Sequence, residues 1–194
     1  MSIERLAVMF AGCTAYHPAE AIGAGHRAAL NRVEVAALMA GLNRAERDYV
    51  YAYFGDESGE LRLLAHVRYW LADLAGRESW KVLPGRPLVC NLAAVAVFES
   101  VRPNVCGCCR GTGVRMKLPP VHPWDYRTCH HCAGGGHMRL SNRRIAEAMG
   151  IDEAAFRRTW SGRYERAFGY VRSIESEVNS VIRRAQSDDG VLMA

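Results

Sequence analysis

The chain has 194 residues, 49% hydrophobic and 23% charged, with a formal net charge of +5. That is enough apolar material for one ordinary domain or two small ones. No apolar run reaches the roughly 18–20 residues a membrane helix needs. The Met-Ser-Ile-Glu-Arg start carries no secretory signal, which implies a cytosolic protein with no membrane partner, where cysteines favour metal over disulfides.

The pattern predicts a mainly α fold: a helical domain, an inserted zinc-binding module, a helix-turn-helix and a long C-terminal helix. Residues 1–30 are Gly/Ala-rich with weak periodicity and predict a loosely packed start. Arg32 to Leu42 is helix-compatible. Asn43 with Glu46 forms a capping-box signature for a helix ending near Gly55. Ser58 opens the next helix, with Leu61, Leu64, Val67, Leu71 and Leu74 on one face and Gly76 at its end. Gly76 to Pro87 reads as a loop. Leu88 to Val101 is apolar nearly all round and predicts a buried helix closed by Pro103. These elements make up an N-terminal helical region, residues 1–103.

Residues 104–138 form the candidate metal module. Cys106-Gly-Cys-Cys109-Arg-Gly111-Thr-Gly113 and Cys129-His-His-Cys132-Ala-Gly134-Gly-Gly136 both read C-x-x-C-x-G-x-G. Two such pairs suit one tetrahedral, structural zinc ion. Glycines after each second cysteine let the backbone fold close and donate N–H groups to sulfur. Their matched offsets favour Cys106, Cys109, Cys129 and Cys132 as ligands. Cys108 and the nearby His122, His130, His131 and His137 remain alternatives. Four thiolates leave no open coordination position for catalysis. Cys90 reads as a small buried hydrophobe, and Cys13 has no nucleophile-like surroundings. The linker Leu118-Pro-Pro-Val-His-Pro-Trp-Asp-Tyr126 cannot be a helix interior.

Residues 139–186 carry a helix-turn-helix signature followed by a long helix. Ser141 caps the first helix, with Ile145, Ala146 and Met149 on its apolar face. Gly150 marks the turn. Asp152 caps a second helix carrying Phe156, Thr159 and Trp160, with Glu153, Ala154, Arg157, Arg158 and Ser161 outward. Arg157, Arg158 and Ser161 are candidates for bases and phosphates of double-stranded DNA, and Arg143 and Arg144 for its backbone. The stripe Val171, Ile174, Val178 and Val181 continues the final helix, and residues 187–194 read as a disordered tail.

Charge is divided unevenly. Residues 1–100 carry ten Lys/Arg and eleven Asp/Glu, whereas residues 101–194 carry fifteen and nine. Only Lys117 is a lysine in the second half, and arginine is the better bidentate partner for phosphate and guanine. A polyanion partner or a merely solvated basic face are the two readings. No phosphate loop, paired catalytic carboxylates or Ser/His/Asp set stands out, so a non-enzyme is expected.

In this order, the doubled cysteine unit, the Pro/Trp linker and the basic helical segment with Thr159-Trp160-Ser161 and Tyr164 resemble the Q antitermination proteins of lambdoid phages, in their lambda-type branch. The resemblance spans Leu88 to about Arg184, and residues 1–80 carry no matching motif. The extra Cys108 departs from the family's pattern. DnaJ-type chaperones share the unit but carry four copies and a J domain. The resemblance implies DNA binding at a late promoter and engagement of host RNA polymerase through its β flap and the primary sigma factor. Terminator read-through follows, with the host elongation factor NusA as a further partner, in the bacterial host cytoplasm. Competing readings are a zinc-stapled protein adaptor and a DNA-processing protein without antitermination activity.

Overall fold

The computed structural model describes residues 32–81, 87–116 and 126–188. The expectations for residues 1–30, most of the proline-rich linker, Cys13, His122 and residues 189–194 lie outside the described residues. Of the described residues about 67% are helical, so the fold is mainly α. No described helix is long and apolar enough to cross a membrane.

The elements run α1 (Arg32–Ala40), α2 (Arg44–Tyr53), α3 (Glu57–Arg77), α4 (Leu88–Val101), β1 (Asn104–Val105), β2 (Val114–Met116), β3 (Tyr126–Thr128), β4 (His137–Met138), α5 (Asn142–Met149), α6 (Glu153–Ala155), a π turn (Phe156–Trp160) and α7 (Ser161–Asp188). The described residues fall into two compact units, which divide between residues 66 and 67 and between residues 171 and 172.

In the first unit, the Asn43 side chain accepts from the Glu46 N–H while the Glu46 carboxylate accepts from the Asn43 N–H. This is the expected capping box. Asp56, rather than Ser58, caps α3 by accepting from Gly59 N at 2.8 Å. Gly59 lies so close to α2 that a Cβ there would meet Tyr51 Cβ at 2.4 Å. The core holds Leu42, Tyr49, Val50, Leu63, Val178 and Ile182. Buried Asp48 accepts from Arg62 Nε at 2.6 Å. Two positions of the sequence reading shift. Leu61 is 67% exposed and Leu63 takes its inward place. Val181 is half-buried, and the stripe closes on Ile182.

In the second unit, α4 is buried through Leu92, Ala93, Val95, Ala96, Val97 and Val101. Small side chains let neighbouring elements approach it. Asn91 Nδ2 donates to Met149 O at 3.2 Å, tying α4 to the end of α5. Ile145, Ala146 and Met149 of α5 join Phe156, Trp160 and Tyr164 in the core. Burying such a residue contributes about 1.5–3 kcal/mol.

No break separates the predicted second helix from the final one, because Ala155, Phe156 and Ser161 are all right-handed helical. The chain stays helical from Glu153 to Asp188, so Ser187 and Asp188 belong to the helix rather than the tail. A π turn inserts one extra residue per turn, as the Ser161 N–H reaches back to Phe156 O. The Arg163 guanidinium lies 4.5 Å from the Trp80 ring centroid and 4.7 Å from that of Trp160. Burial and then Arg166 push its pKa down. Trp80 Nε1 donates to Glu78 at 2.8 Å, and Arg166 pairs with the same carboxylate. This aromatic–arginine stack fastens residues 78–80 to the start of α7.

Candidate functional site

The two C-x-x-C turns face each other across a pseudo-symmetric pair of ribbons. Strand β1, just before the first turn, pairs antiparallel with β4, just after the second. Strand β2, just after the first, pairs with β3, just before the second. The lead cysteines close the join: Cys106 N donates to Gly136 O at 2.8 Å, and Cys129 N donates to Gly113 O at 2.8 Å.

This arrangement gathers four thiols. The sulfurs of Cys106, Cys109, Cys129 and Cys132 all lie within 4.8 Å of one another. Cys106 and Cys129 sulfurs are 4.0 Å apart, and those of Cys109 and Cys132 are 3.6 Å apart. A tetrahedral thiolate site with metal–sulfur bonds of about 2.3 Å has edges of about 3.8 Å. The four cysteines could therefore hold one metal ion. Half-buried Cys108 packs against them without joining the set, and the described histidines 130, 131 and 137 lie outside it as well.

The backbone prepares the sulfurs for negative charge. Gly113 N donates to Cys109 Sγ at 3.3 Å, and Gly136 N donates to Cys132 Sγ at 3.2 Å. Burial pushes the Cys129 thiol up, but the N–H groups of Cys132 and His131, together with the Cys132 and Cys108 thiols, bring it down to about 6. Burial holds Cys132 up, at about 11. Four thiols this close do not all ionise unless a cation neutralises them.

The glycines have a second purpose that spacing alone did not reveal. A Cβ on Gly113 would meet Gly134 O at 2.2 Å, and one on Gly136 would meet Gly111 O at 2.4 Å. Each turn's last glycine thus lies against the other turn's first. Both also hold positive φ, +71° and +75°. Gly113→Ala and Gly136→Ala are expected to weaken metal retention in a chelator competition at least tenfold. Gly107→Ala, with nothing within 4 Å of its Cβ, should change nothing. Equal retention in all three variants would refute the close-approach account.

One residue that sequence reasoning missed joins this module to the helices. Glu99, only 4% exposed, sits in apolar α4. Its Oε1 accepts from Arg139 Nε and from Leu140 N, both at 2.9 Å, and its Oε2 accepts from Tyr164 OH. Arg139 also reaches Glu165 at 3.2 Å and lies 3.9 Å from the Phe168 ring centroid. Burial, then Glu99, pushes the Tyr164 phenol well above its usual range. A carboxylate amid apolar neighbours was the available signal. The carboxylate links α4, the chain leaving β4, and α7.

Beyond that link, Ser141 accepts from Arg144 N and caps α5. Gly150 ends the helix in the left-handed conformation, φ 72° and ψ 34°. Asp152 accepts from Ala155 N at 2.8 Å and starts α6. The chain thus turns at Gly150 from α5 into the continuous helical run that starts at α6.

No family model matches the chain, and the search of curated proteins finds no relative.

The arginines singled out from sequence all lie on the exposed surface. Arg143 pairs with Glu147 at 2.8 Å, and Arg157 with Glu153 at 2.5 Å. Such exposed i,i+4 pairs contribute only about 0.3–0.5 kcal/mol. Arg144 and Arg158 have no ion-pair partner among the described residues. Ser161 is half-buried and its hydroxyl donates to Arg157 O at 3.0 Å. That bond turns the hydroxyl back on its own helix.

Proposed function

We propose that this chain is a DNA-binding transcription antitermination factor of the kind its sequence resembles, braced by one structural zinc ion. The observation that carries the proposal is α5, the Gly150 turn and the helical run of α6 and the π turn, which together carry the exposed Arg143, Arg144, Arg157 and Arg158 directly after a four-thiol site. A thiolate-only tetrahedral set suits zinc. Closed coordination suits a brace rather than a reaction centre. Arg157 and Arg158 would enter the major groove, and Arg143 and Arg144 would hold the flanking backbone. Through the resemblance, the DNA element belongs to a late promoter. The polymerase contacts would be the β flap and primary sigma factor, with NusA accompanying the elongating complex.

DNA reading is tested by gel shift with duplex fragments from the DNA around the gene. Arg157→Ala and Arg158→Ala should each cost about 1–3 kcal/mol of affinity if they contact base edges. Far-ultraviolet dichroism and melting temperature should stay at wild-type values, since both side chains are exposed. A double variant that still shifts the fragment with wild-type affinity would rule out this helix as the reader. A protein that shifts no fragment would rule out DNA binding and favour a zinc-stapled adaptor.

A further inference from the structure

The ribbon of β2 and β3 carries an arrangement that folding alone disfavours. Arg115 and Arg127 are direct cross-strand partners. Opposed residues in an antiparallel pair project from the same face with Cβ atoms about 4.5–5.5 Å apart, and like charges there are destabilising. Both side chains are exposed. Neither has an acidic partner among the described residues, in contrast to Arg62, Arg139 and Arg166, which meet Asp48, Glu99 and Glu78. Residues 104–138 hold Arg110, Arg115, Lys117 and Arg127 against a single acid, Asp125.

We propose that Arg115 and Arg127 form a phosphate clamp, by which the β2–β3 ribbon grips the backbone of duplex DNA as a contact distinct from α5 and α6. The inference rests on the DNA-binding reading above. Two guanidinium groups rooted side by side on one face of the ribbon can bracket a phosphodiester with paired charge-assisted hydrogen bonds. Anchored next to the thiol site, they hold that spacing without help from a long loop. The bound phosphate neutralises the repulsion that the free protein carries. Backbone contacts of this kind fix position and add affinity without reading sequence. An alternative use for the arginines is to offset the charge of the metal site, because a zinc tetrathiolate is formally dianionic. The two uses predict opposite effects on stability.

The test uses the full-length, metal-loaded protein and a fluorescein-labelled random-sequence DNA duplex. Fluorescence anisotropy gives the affinity between about 50 and 200 mM salt, the range where counterion release is steep. The Arg115→Gln/Arg127→Gln double variant should bind about tenfold more weakly at the low-salt end. Its slope of log affinity against log salt should fall by about 1–2, as each phosphate contact contributes about 0.9. Arg127→Glu should weaken binding further while raising the melting temperature, since it places opposite charges across the ribbon. Unchanged affinity and slope in the double variant would overturn the clamp and leave DNA binding by α5 and α6 standing. Lower melting temperatures and faster metal loss in both variants would also overturn it, in favour of charge compensation at the thiolates. Failure of the wild-type protein to bind the duplex at any salt would overturn the clamp together with the DNA-binding reading.

Discussion

Cys129→Ser should lose the bound metal and, with it, the fold of residues 104–138. The module has almost no other source of stability. Its ribbons pair only two and three residues per strand, and isolated ribbons of that size are unstable in water. Its buried cluster consists of the cysteines themselves. Structural zinc in small modules contributes on the order of 10–16 kcal/mol to the folded state. Cys129 is fully buried and its N–H donates to Gly113 O, so a serine there leaves a hydroxyl among sulfurs. The expected results are loss of the metal equivalent, rapid proteolysis within residues 104–138 and loss of DNA binding. DNA binding falls because residues 139–140 lead directly from β4 into α5. Wild-type metal content, melting temperature and DNA affinity in this variant would remove the metal brace from the account.

Glu99→Ala should be the most damaging change outside the cysteines. It removes a buried carboxylate and leaves the Leu140 N–H, the Tyr164 hydroxyl and the Arg139 guanidinium without their shared acceptor. Each donor left without its acceptor costs about 1–3 kcal/mol, and two of the three are the Leu140 N–H and the Tyr164 hydroxyl. For a chain of this size that corresponds to a melting temperature lower by about 10 °C. Glu99→Gln keeps an acceptor oxygen for Leu140 or Tyr164 but loses the charge opposite Arg139, so it should fall between Ala and wild type. Metal content should be unchanged in both, since Glu99 touches no thiol. A loss of under about 1 kcal/mol in Glu99→Ala would show that the carboxylate is replaceable by water and does not tie the helices together.

The elements that were legible in the sequence are those whose cause is local. The capping box at Asn43, the Ser141 and Asp152 caps and the left-handed Gly150 each follow from a side chain and its own backbone neighbours. The four clustered cysteines were legible because thiolate chemistry fixes their spacing. What escaped depends on packing across the chain. Leu61 and Leu63 are equally plausible inward residues until a partner helix selects one. The π turn leaves no composition signal and joins two elements that read as separate. Glu99 resembled an accident in an apolar helix, because its partners lie 40, 41 and 65 residues away in sequence. The reciprocal glycine contacts and the Arg115–Arg127 pair required the ribbon register, which no spacing rule supplies.

Transcription by purified host RNA polymerase tests the central claim most directly. The template carries the late promoter region adjoining the gene, with an intrinsic terminator downstream. The account predicts that the metal-loaded protein raises terminator read-through several-fold, and that the Arg157→Ala/Arg158→Ala double variant does not. Unchanged read-through at protein concentrations that saturate the same template in a gel shift would contradict antitermination and leave a metal-braced DNA-binding protein with another task.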